Sequence, residues 1–468
     1  MSRNFKNKIV DTVITRFSLK GNGLGEFTLG EGHERIVEVP FTMPGEEVQA
    51  QIFKKRAGKF KGTLSKIVKE SPQRVSPKCS HFGVCGGCRW QHVPYSSQLE
   101  EKQEFVEKLF EPMLGDAPLH PIIACDPPWN YRNKMEFTFS SDASENRYLG
   151  LIMDSSRGKV FNLLECHLPS PWFAEVLASV RDWWEKSGLD AYHPHKDRGS
   201  LRTLTMREGS RSGEKMVMLT VSGNPDYSLH GNQLKGFVEA VKKALPGERP
   251  SLFLIIQQIS KGHTTQFYEV HLSGDEFIRE KLTVSGEEMA FQISPRAFFQ
   301  PNTAQAEKIY RRVLEMSDIG ASDVVYDLYC GTGTLGLIMA KKAKQVIGIE
   351  LSPEAVLDAR ENAKINGCEN IEFYKGDVGK VLSTEPLPEP DIIACDPPRA
   401  GLDKKALETI GALKAQKIVY VSCNPRTQAD NVDELIKMGY HIKAVQPVDQ
   451  FPHTIHMENI VLLCRSNF

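Results

Sequence analysis

The sequence has no apolar run of membrane-spanning length, and its first residues lack the apolar core of a signal peptide. It also lacks internal repeats and low-complexity tracts, which argues against a solenoid or a disordered chain. The formal net charge is only −1, so the chain as a whole is neither a polycation nor a polyanion. What remains is an ordinary soluble composition, and we expect a cytoplasmic monomer of about two to four domains with no membrane partner.

The 468-residue chain contains ten cysteines, and thiols of a cytoplasmic protein are mostly reduced, so clustered ones point to metal binding or catalysis. Cys79, Cys85 and Cys88 form such a cluster, and Cys166 is the best candidate for a fourth ligand. Four thiolates suit a 4Fe–4S cluster. Zinc is an equal alternative on spacing alone, with three further candidate ligands: His81, His92 and His167.

The positive charge is concentrated at the N-terminus, where residues 1–78 hold 15 Lys or Arg against 8 Asp or Glu. The densest stretch contains Lys54, Lys55, Arg56 and Lys59. Glycines and short alternating apolar runs predict a small β-barrel over residues 1–75. Its glycine pattern and Pro-Gly-Glu turn resemble the TRAM domain, an RNA-binding barrel of OB type. We expect these cations to bind RNA, although charge alone suits a solvated loop equally well.

The rest of the chain divides by pattern into two regions. Residues 76–290 predict a mixed α+β central domain that holds the clustered cysteines, and its helical segment 96–120 is a candidate for packing on the catalytic domain. Residues 291–468 alternate strand, turn and helix, which predicts a doubly wound α/β domain with a mainly parallel sheet. The expected fold class is therefore α/β, with a β-barrel at its start.

A glycine-rich turn follows one predicted strand of this last domain and opens a helix. Gly331 and Gly333 allow close backbone approach to a ligand, and Glu350 ends the next strand 19 residues after Gly331, where it can accept hydrogen bonds from ribose hydroxyls. This spacing satisfies the dinucleotide fingerprint, so an NAD(P)-dependent oxidoreductase with a metal site is a serious alternative.

Two further carboxylates favour S-adenosylmethionine (SAM). Asp327 precedes the glycine turn, where it can face a cationic amino-acid group, and Asp377 follows the third strand, where an adenine amino group can lie. NAD has no ammonium group that would require the first of these acids. The pattern therefore favours a methyltransferase.

Two later motifs indicate which atom is methylated. Residues 396–399 read Asp-Pro-Pro-Arg after a strand, and enzymes that methylate exocyclic amines commonly carry an aromatic residue where Arg399 stands. Cys423 follows the next apolar strand, and Glu458 enters the terminal one, where it is a candidate base or a solvated carboxylate. A cysteine nucleophile at this position fits carbon methylation through a covalent adduct better.

Together these motifs resemble the RNA 5-methyluridine methyltransferases, specifically the RumA/RlmD-like enzymes that act on 23S rRNA. The resemblance covers essentially the whole chain, and Phe298, Gln300 and Asn302 match the family's F-x-Q-x-N element. It implies that Gln300 contacts the cofactor and that Phe298 lies near the target base. A second family-like stretch contains Arg132, a further candidate for RNA contact.

The same resemblance implies roles for the other candidates. Cys423 would be the nucleophile, Glu458 the base, and Asp396 the acid near the uracil and the cofactor. The expected SAM-site residues are Gln300, Asp327, Tyr329, Gly331, Gly333, Glu350, Asp377 and Asp396. The four cluster ligands would be Cys79, Cys85, Cys88 and Cys166.

The expected substrate is 23S rRNA in a loop or opened segment, because a paired base must leave its helix to be methylated. Related tRNA enzymes are expected to lack the barrel and the cysteine cluster, which favours ribosomal RNA. A tRNA uracil-C5 methyltransferase and a noncatalytic RNA-binding scaffold remain alternatives.

Overall fold

A computed structural model describes residues 7–28, 33–260 and 262–466. The chain begins with a closed five-stranded barrel in the order β1-β2-β3-β5-β4, in which β1 also pairs with β4. Its strands are β1 Ile9–Phe17, β2 Gly23–Thr28, β3 Glu34–Val39, β4 Glu47–Arg56 and β5 Lys59–Lys69. Alternate residues of these strands fill one core, which includes Ile14, Val37 and Val48. The predicted small barrel is confirmed.

Contacts divide the chain into two compact units. The first contains the barrel, the residues up to Glu101, and two later segments, Ile152–Gly158 and Phe451–Ile455. Within it Trp90 donates a hydrogen bond from Nε1 to the Gly21 carbonyl oxygen at 2.9 Å. The second unit contains the remaining segments. The proposed division of the chain at residues 75 and 290 stays a prediction.

The second unit contains a six-stranded sheet in the order β11-β10-β9-β8-β6-β7 and a separate hairpin of β12 and β13. These strands are β6 Lys134–Ser141, β7 Arg147–Gly150, β8 Leu201–Glu208, β9 Lys215–Ser222, β10 Ser251–Gln258, β11 Gln266–Ser273, β12 Ile278–Val284 and β13 Glu287–Ile293. Helices α2 Trp172–Ser187 and α3 Gly231–Ala244 share an apolar core with this sheet. Helix α1 spans Tyr95–Leu114. Its Val106 and Phe110 belong to an apolar core shared with the seven-stranded sheet described next.

A seven-stranded sheet in the order β16-β15-β14-β17-β18-β20-β19 forms the rest of the second unit. Its strands are β14 Val324–Leu328, β15 Gln345–Glu350, β16 Ile371–Lys375, β17 Ile392–Cys395, β18 Lys417–Ser422, β19 Tyr440–Val448 and β20 Glu458–Arg465. The helices are α4 Thr303–Ser317, α5 Thr334–Ala340, α6 Pro353–Ile365, α7 Val378–Thr384, α8 Lys404–Leu413 and α9 Pro425–Lys437. The first five strands in this order are parallel, as predicted.

The direction of the last two strands decides what meets at the ligand-binding edge. Parallel strands bring their carboxyl ends to one edge of a sheet, where α/β proteins bind ligands. β20 runs antiparallel to β18, with Asn459 opposite Ser422, so the first residue of β20 lies where β18 ends. Glu458 therefore reaches the same edge as Cys423. In the described part of the chain, no helix is both long and apolar enough to span a bilayer.

Candidate active site

Cys423 lies at the exit of β18, half-buried. The side chain of Gln428 in α9 donates hydrogen bonds to the carbonyl oxygens of Tyr420 at 2.8 Å and Asn459 at 3.0 Å, which joins this strand exit to β20. Burial raises the pKa of the Cys423 thiol to about 11, and the charges of Glu458 and Asp396 act in the same direction. The two carboxyl groups are therefore close enough to the thiol to disfavour its ionised form.

Asp396 follows β17 and is half-buried. Gln300 donates from Nε2 to its Oδ2 at 3.3 Å, and Gln450 donates from Nε2 to Gln300 Oε1 at 3.0 Å. Asn133 holds the same loop by donating to the Gln300 carbonyl oxygen at 2.9 Å. Burial raises the pKa of Asp396, so the neutral form of this carboxyl is favoured more than in an exposed aspartate.

Glu458 is buried, with 3% of its surface exposed, and its Oε2 has no hydrogen-bond partner among the described residues. Burial raises its pKa well above the usual range, the charge of Asp396 adds to this, and Arg399 opposes it. An unpaired buried carboxyl oxygen is destabilising and uncommon in folded proteins. Such an atom is typical of a site that a substrate completes.

The glycine turn forms an open backbone cradle. Gly331 and Gly333 both have positive φ, 54° and 77°. The Gly331 amide donates to Glu350 Oε2 at 3.0 Å, and the Ser352 amide donates to Glu350 Oε1 at 2.8 Å. A Cβ at Gly331 would meet no protein atom within 4 Å, whereas one at Gly333 would lie 2.8 Å from Phe373 Cζ. Gly331 therefore faces space that a ligand can occupy, and Gly333 allows close packing.

Asp327 lies beneath this cradle, with 1% of its surface exposed. Its Oδ2 accepts the Gly336 amide of α5 at 2.7 Å. Burial raises the pKa of Asp327 to about 8 in spite of that bond, and the charges of Asp396 and Glu350 add to the rise. A neighbouring cation would favour the ionised form of this acid.

Two other expected cofactor residues lie on the side of α7. Asp377 caps that helix by accepting the Lys380 amide at 3.0 Å. Tyr329 has the left-handed backbone φ of 64°, which is uncommon for a non-glycine residue. Burial raises its pKa, and charges at Cys395, Asp403 and Asp377 act in the same direction.

Known proteins show which family combines these features. The family model of tRNA (uracil-5-)-methyltransferases matches residues 244–380 and 389–466. The chain belongs to the RNA 5-methyluridine methyltransferase family. It is 53% identical over 91% of its length, and over 99% of the relative, to a protein of Protochlamydia amoebophila described as an uncharacterized RNA methyltransferase. A relative with the same description in Chlorobaculum tepidum is 34% identical over 98% of this chain and 97% of its own.

A solved structure agrees with this membership. The tRNA (uracil-54, C5)-methyltransferase of Pyrococcus abyssi, in complex with S-adenosyl-L-homocysteine, is 26% identical with a TM-score of 0.73. The match covers 97% of this chain and 99% of that one. The protein is thus a SAM-dependent RNA methyltransferase of the uracil-5 family, which confirms the predicted enzyme class over the NAD(P)-dependent alternative.

One argument for ribosomal RNA is wrong. We expected related tRNA enzymes to lack the N-terminal barrel, but an alignment over 97% of this methyltransferase cannot leave out a barrel that spans Ile9–Lys69. The barrel therefore does not distinguish the two substrate classes.

The residues expected to contact RNA lie in both units. In the second unit, Phe298 is 61% exposed, and its carbonyl oxygen accepts the Thr332 hydroxyl of the glycine turn at 3.5 Å. Arg132 donates from Nε to the Lys134 carbonyl oxygen at 3.1 Å. In the first unit, the expected cations line the β4–β5 hairpin: Lys54, Lys55, Arg56 and Lys59. Their contacts with RNA stay predictions.

The clustered cysteines lie on a loop of the first unit. Cys79, Cys85 and Cys88 are half-buried, and the Gly87 amide donates to Cys85 Sγ at 3.3 Å. Burial raises the pKa of Cys85, and neighbouring Cys79 adds to the rise. Among the described residues, no three Cys, His, Asp or Glu side chains are grouped as a metal site. The described residues therefore show no assembled metal site at these cysteines, and Cys166 belongs to the second unit.

Four residues of the site were missed as functional candidates. Gln450 donates a hydrogen bond to Gln300. Tyr310 of α4 is buried, and burial together with the charges of Asp396, Asp327 and Glu458 raises its pKa. Arg399 forms a hydrogen-bonded pair with His456, and its charge favours the ionised form of Cys423. The sequence contained one signal for this pair, because each stands within three residues of a predicted catalytic acid.

Proposed function

We propose that this methyltransferase transfers a methyl group to C5 of a specific uridine in RNA, with Cys423 as nucleophile and Glu458 as base. The observation that carries this is the meeting of one thiol and two carboxyls with raised pKa at the edge of the sheet that bears the glycine cradle. Carbon methylation of uracil requires a nucleophile and a base at one site, and this arrangement supplies both.

The cradle residues fit SAM. Gly331 offers open space to the ligand, Glu350 can accept ribose hydroxyls, and Asp327 can meet the ammonium group. SAM bound there would supply an electrophilic methyl group. Gln300 donates a hydrogen bond to Asp396, so it is positioned next to one of the two carboxyls of the site.

The proposed reaction begins at uracil C6. The Cys423 thiolate forms a bond to C6, and the electrons of the C5–C6 double bond move toward O4 and make C5 nucleophilic. Asp396 in its ionised form is suited to accept the uracil N3–H. C5 then takes the methyl group as the electrons return from O4, and the bond from the methyl carbon to the sulfonium sulfur breaks, so a neutral thioether leaves.

Glu458 then removes the C5 proton. Its burial strengthens it as a base, because a raised pKa favours the protonated product. The electrons of the C5–H bond restore the C5–C6 double bond, and the sulfur of Cys423 leaves C6 as thiolate. The enzyme returns to its starting state after Glu458 loses the proton to solvent.

We propose 23S rRNA as the substrate, in a loop or opened segment, and a monomeric cytoplasmic enzyme. The support is the family resemblance of the motifs. A tRNA substrate is the second candidate, because the structural neighbour is a tRNA enzyme that matches almost the whole chain. Purified 23S rRNA and tRNA from a strain lacking the enzyme would each be incubated with methyl-labelled SAM. Label in tRNA but not in 23S rRNA would overturn the proposed substrate.

Cys423→Ala tests the proposed nucleophile in the same assay. We expect methyl transfer to fall at least about 1000-fold, because covalent activation of C6 is lost, while the affinity for SAM stays near normal. Calorimetric SAM binding is the control for folding. Substantial turnover by a variant that still binds SAM would contradict the mechanism.

We also propose that the cysteine loop binds a 4Fe–4S cluster through Cys79, Cys85 and Cys88. The support is three half-buried thiols on one loop, together with the Gly87 amide that donates to Cys85 Sγ, since amide hydrogen bonds to cysteine sulfur are a feature of such clusters. Cys166 as the fourth ligand stays a prediction from the sequence. Anaerobically purified protein should contain iron and labile sulfide, and stoichiometric zinc without sulfide would contradict the proposal.

A further inference from the structure

Arg399 lies beside the proposed nucleophile and is fixed there by its own backbone. Its carbonyl oxygen accepts the Asn424 side-chain amide at 3.1 Å and the Thr427 hydroxyl at 3.3 Å. Asn424 immediately follows Cys423 in the chain. The loop after β17 is therefore tied directly to the loop that carries the thiol.

The guanidinium of Arg399 has a partner on a third chain segment. Its Nη2 lies 3.1 Å from Nδ1 of His456, two residues before Glu458. Burial lowers the pKa of His456 to about 4, and the positive charges of Arg399, Lys102 and Arg132 act in the same direction. His456 is therefore neutral at physiological pH, and its Nδ1 accepts the hydrogen bond, which places the ring proton on Nε2.

The charged groups around Cys423 oppose one another. Glu458 from β20 and Asp396 after β17 disfavour the thiolate, and Arg399 favours it. Both carboxyls also raise the pKa of Tyr310 in α4, and the charges of Lys102 and Arg132 lower the pKa of His456. Attack on uracil C6 needs the thiolate form, so a nearby cation has a chemical task in this site.

We propose that Arg399 stabilises the Cys423 thiolate and that neutral His456 positions the Arg399 guanidinium for this task. The inference rests on the proposed role of Cys423 as nucleophile. It assigns a function to the arginine that stands where enzymes methylating exocyclic amines commonly have an aromatic residue. When Cys423 ionises, its proton passes to solvent and the guanidinium stabilises the sulfur anion that remains.

The test is the rate of Cys423 alkylation by iodoacetamide in the free protein, because this reaction needs neither RNA nor SAM. Peptide mass spectrometry would follow Cys423 separately from the other cysteines between pH 7 and 10. In Arg399→Gln we expect the rate at pH 8 to fall roughly three- to tenfold and the alkylation pKa to rise, since the thiolate fraction falls tenfold for each unit of pKa. Arg426→Gln, which removes an exposed charge three residues after Cys423, is the matched control and should react like the wild type.

His456 is tested by its own pair of variants. His456→Phe leaves the positive charge of Arg399 in place but removes its hydrogen-bond acceptor. We therefore expect the rate of Cys423 alkylation to fall, but by less than in Arg399→Gln. His456→Asn offers an oxygen near the position of Nδ1 and should restore most of the rate. A purely structural role for His456 would lower the melting temperature without moving the alkylation profile, and that outcome would overturn the positioning role.

RNA affinity separates this proposal from simple phosphate binding by Arg399. If Arg399→Gln weakens RNA binding but leaves the rate and pH profile of alkylation unchanged, Arg399 is a phosphate ligand and the proposal is wrong. Cys423→Ala in the methylation assay tests the nucleophile independently. If Cys423 is essential for methylation but Arg399→Gln leaves the pH profile of Cys423 alkylation unchanged, the role of Arg399 is wrong and the role of Cys423 stands.

Discussion

At the scale of single residues, Glu458 carries the clearest mechanistic prediction. Glu458→Gln is nearly isosteric but cannot take the C5 proton, so we expect the reaction to stop after methyl transfer with Cys423 still bonded to C6. A SAM-dependent protein–RNA band that resists denaturation would report this adduct on a gel. The band should disappear in the double variant with Cys423→Ala. If Glu458→Gln turns over normally and forms no such band, another group removes the C5 proton.

Asp327 should make SAM binding dependent on pH. Its pKa of about 8 leaves the carboxyl neutral at lower pH, whereas the ammonium of SAM is best matched by the ionised form. We expect the affinity to fall as pH decreases from 8 to 6, by up to about tenfold per unit. Above pH 8 the affinity should also fall, because α-amino groups titrate at about 7.7–8.0. Calorimetry at several pH values would measure the fall in SAM affinity below and above pH 8.

Asp327→Asn is the matched variant. Asp327→Asn should bind SAM weakly at every pH and should no longer show the fall in affinity below pH 8. Its amide oxygen can still accept the hydrogen bond from the Gly336 amide. An aspartate in the unfolded protein has a pKa near 3.9, which is lower than the pKa of Asp327 in the folded protein. The free energy of unfolding therefore decreases as pH rises from about 4 to 8, because the unfolded protein gives up the proton more readily. We therefore expect Asp327→Asn to melt a few degrees higher at pH 8. If SAM affinity still falls below pH 8 in this variant as in the wild type, Asp327 is not the group that causes the fall.

At the scale of elements, the turn between β14 and α5 has two glycines with different tasks. Gly331→Ala places a methyl group in open space, so we expect a loss of stability of only about 1 kcal/mol from its positive φ but at least about tenfold weaker SAM binding. Gly333→Ala would bring Cβ to 2.8 Å from Phe373 Cζ, which adds overpacking of about 1–3 kcal/mol.

Urea unfolding and SAM calorimetry on the two variants would separate these effects. The two alanines act as controls for each other, because both replace a glycine with positive φ in the same turn. Normal SAM affinity in Gly331→Ala would show that the cofactor does not occupy the space this glycine faces.

At the scale of the whole molecule, the β4–β5 hairpin is the expected RNA contact of the first unit. The pairs Lys54 with Lys61 and Arg56 with Lys59 lie directly opposite each other, an arrangement of like charges that destabilises a hairpin. Lys61 pairs with Glu38, but none of the described ion pairs involves the four cations Lys54, Lys55, Arg56 and Lys59. Lys54 and Lys55 lie over the rings of Phe53 and Phe60, and cations without an acidic partner are suited to a polyanion.

Changing these four cations to glutamine should weaken RNA binding and reduce the slope of log affinity against log salt by up to about 3, because each single-strand phosphate contact contributes roughly 0.7. Affinity for SAM should stay unchanged. A variant that neutralises paired lysines of the second unit, Lys235, Lys404 and Lys437, is the control. Equal slopes for the two variants would remove the hairpin from RNA recognition.

Local pattern was sufficient for much of the catalytic domain. The predicted alternation of strand, turn and helix over residues 291–468 is present, with strands such as Gln345–Glu350 and Lys417–Ser422, because a short buried apolar run between turn residues has few other ways to fold. The glycine turn and the acids that end the strands could also be identified, since close backbone approach and ligand contact demand particular residue types at particular positions.

Motifs and apolar patterns were sufficient to predict the family, the α/β class and the candidates Cys423, Asp396 and Glu458. How these three residues meet depends on the three-dimensional fold. The antiparallel course of β20 brings Glu458 to the exit of β18, and strand direction depends on contacts that are distant in the chain. Burial, which raises the pKa of all three groups, comes from packing by several elements at once. The pairing of Arg399 with His456 spans 57 residues, a separation at which local sequence carries no information about contact.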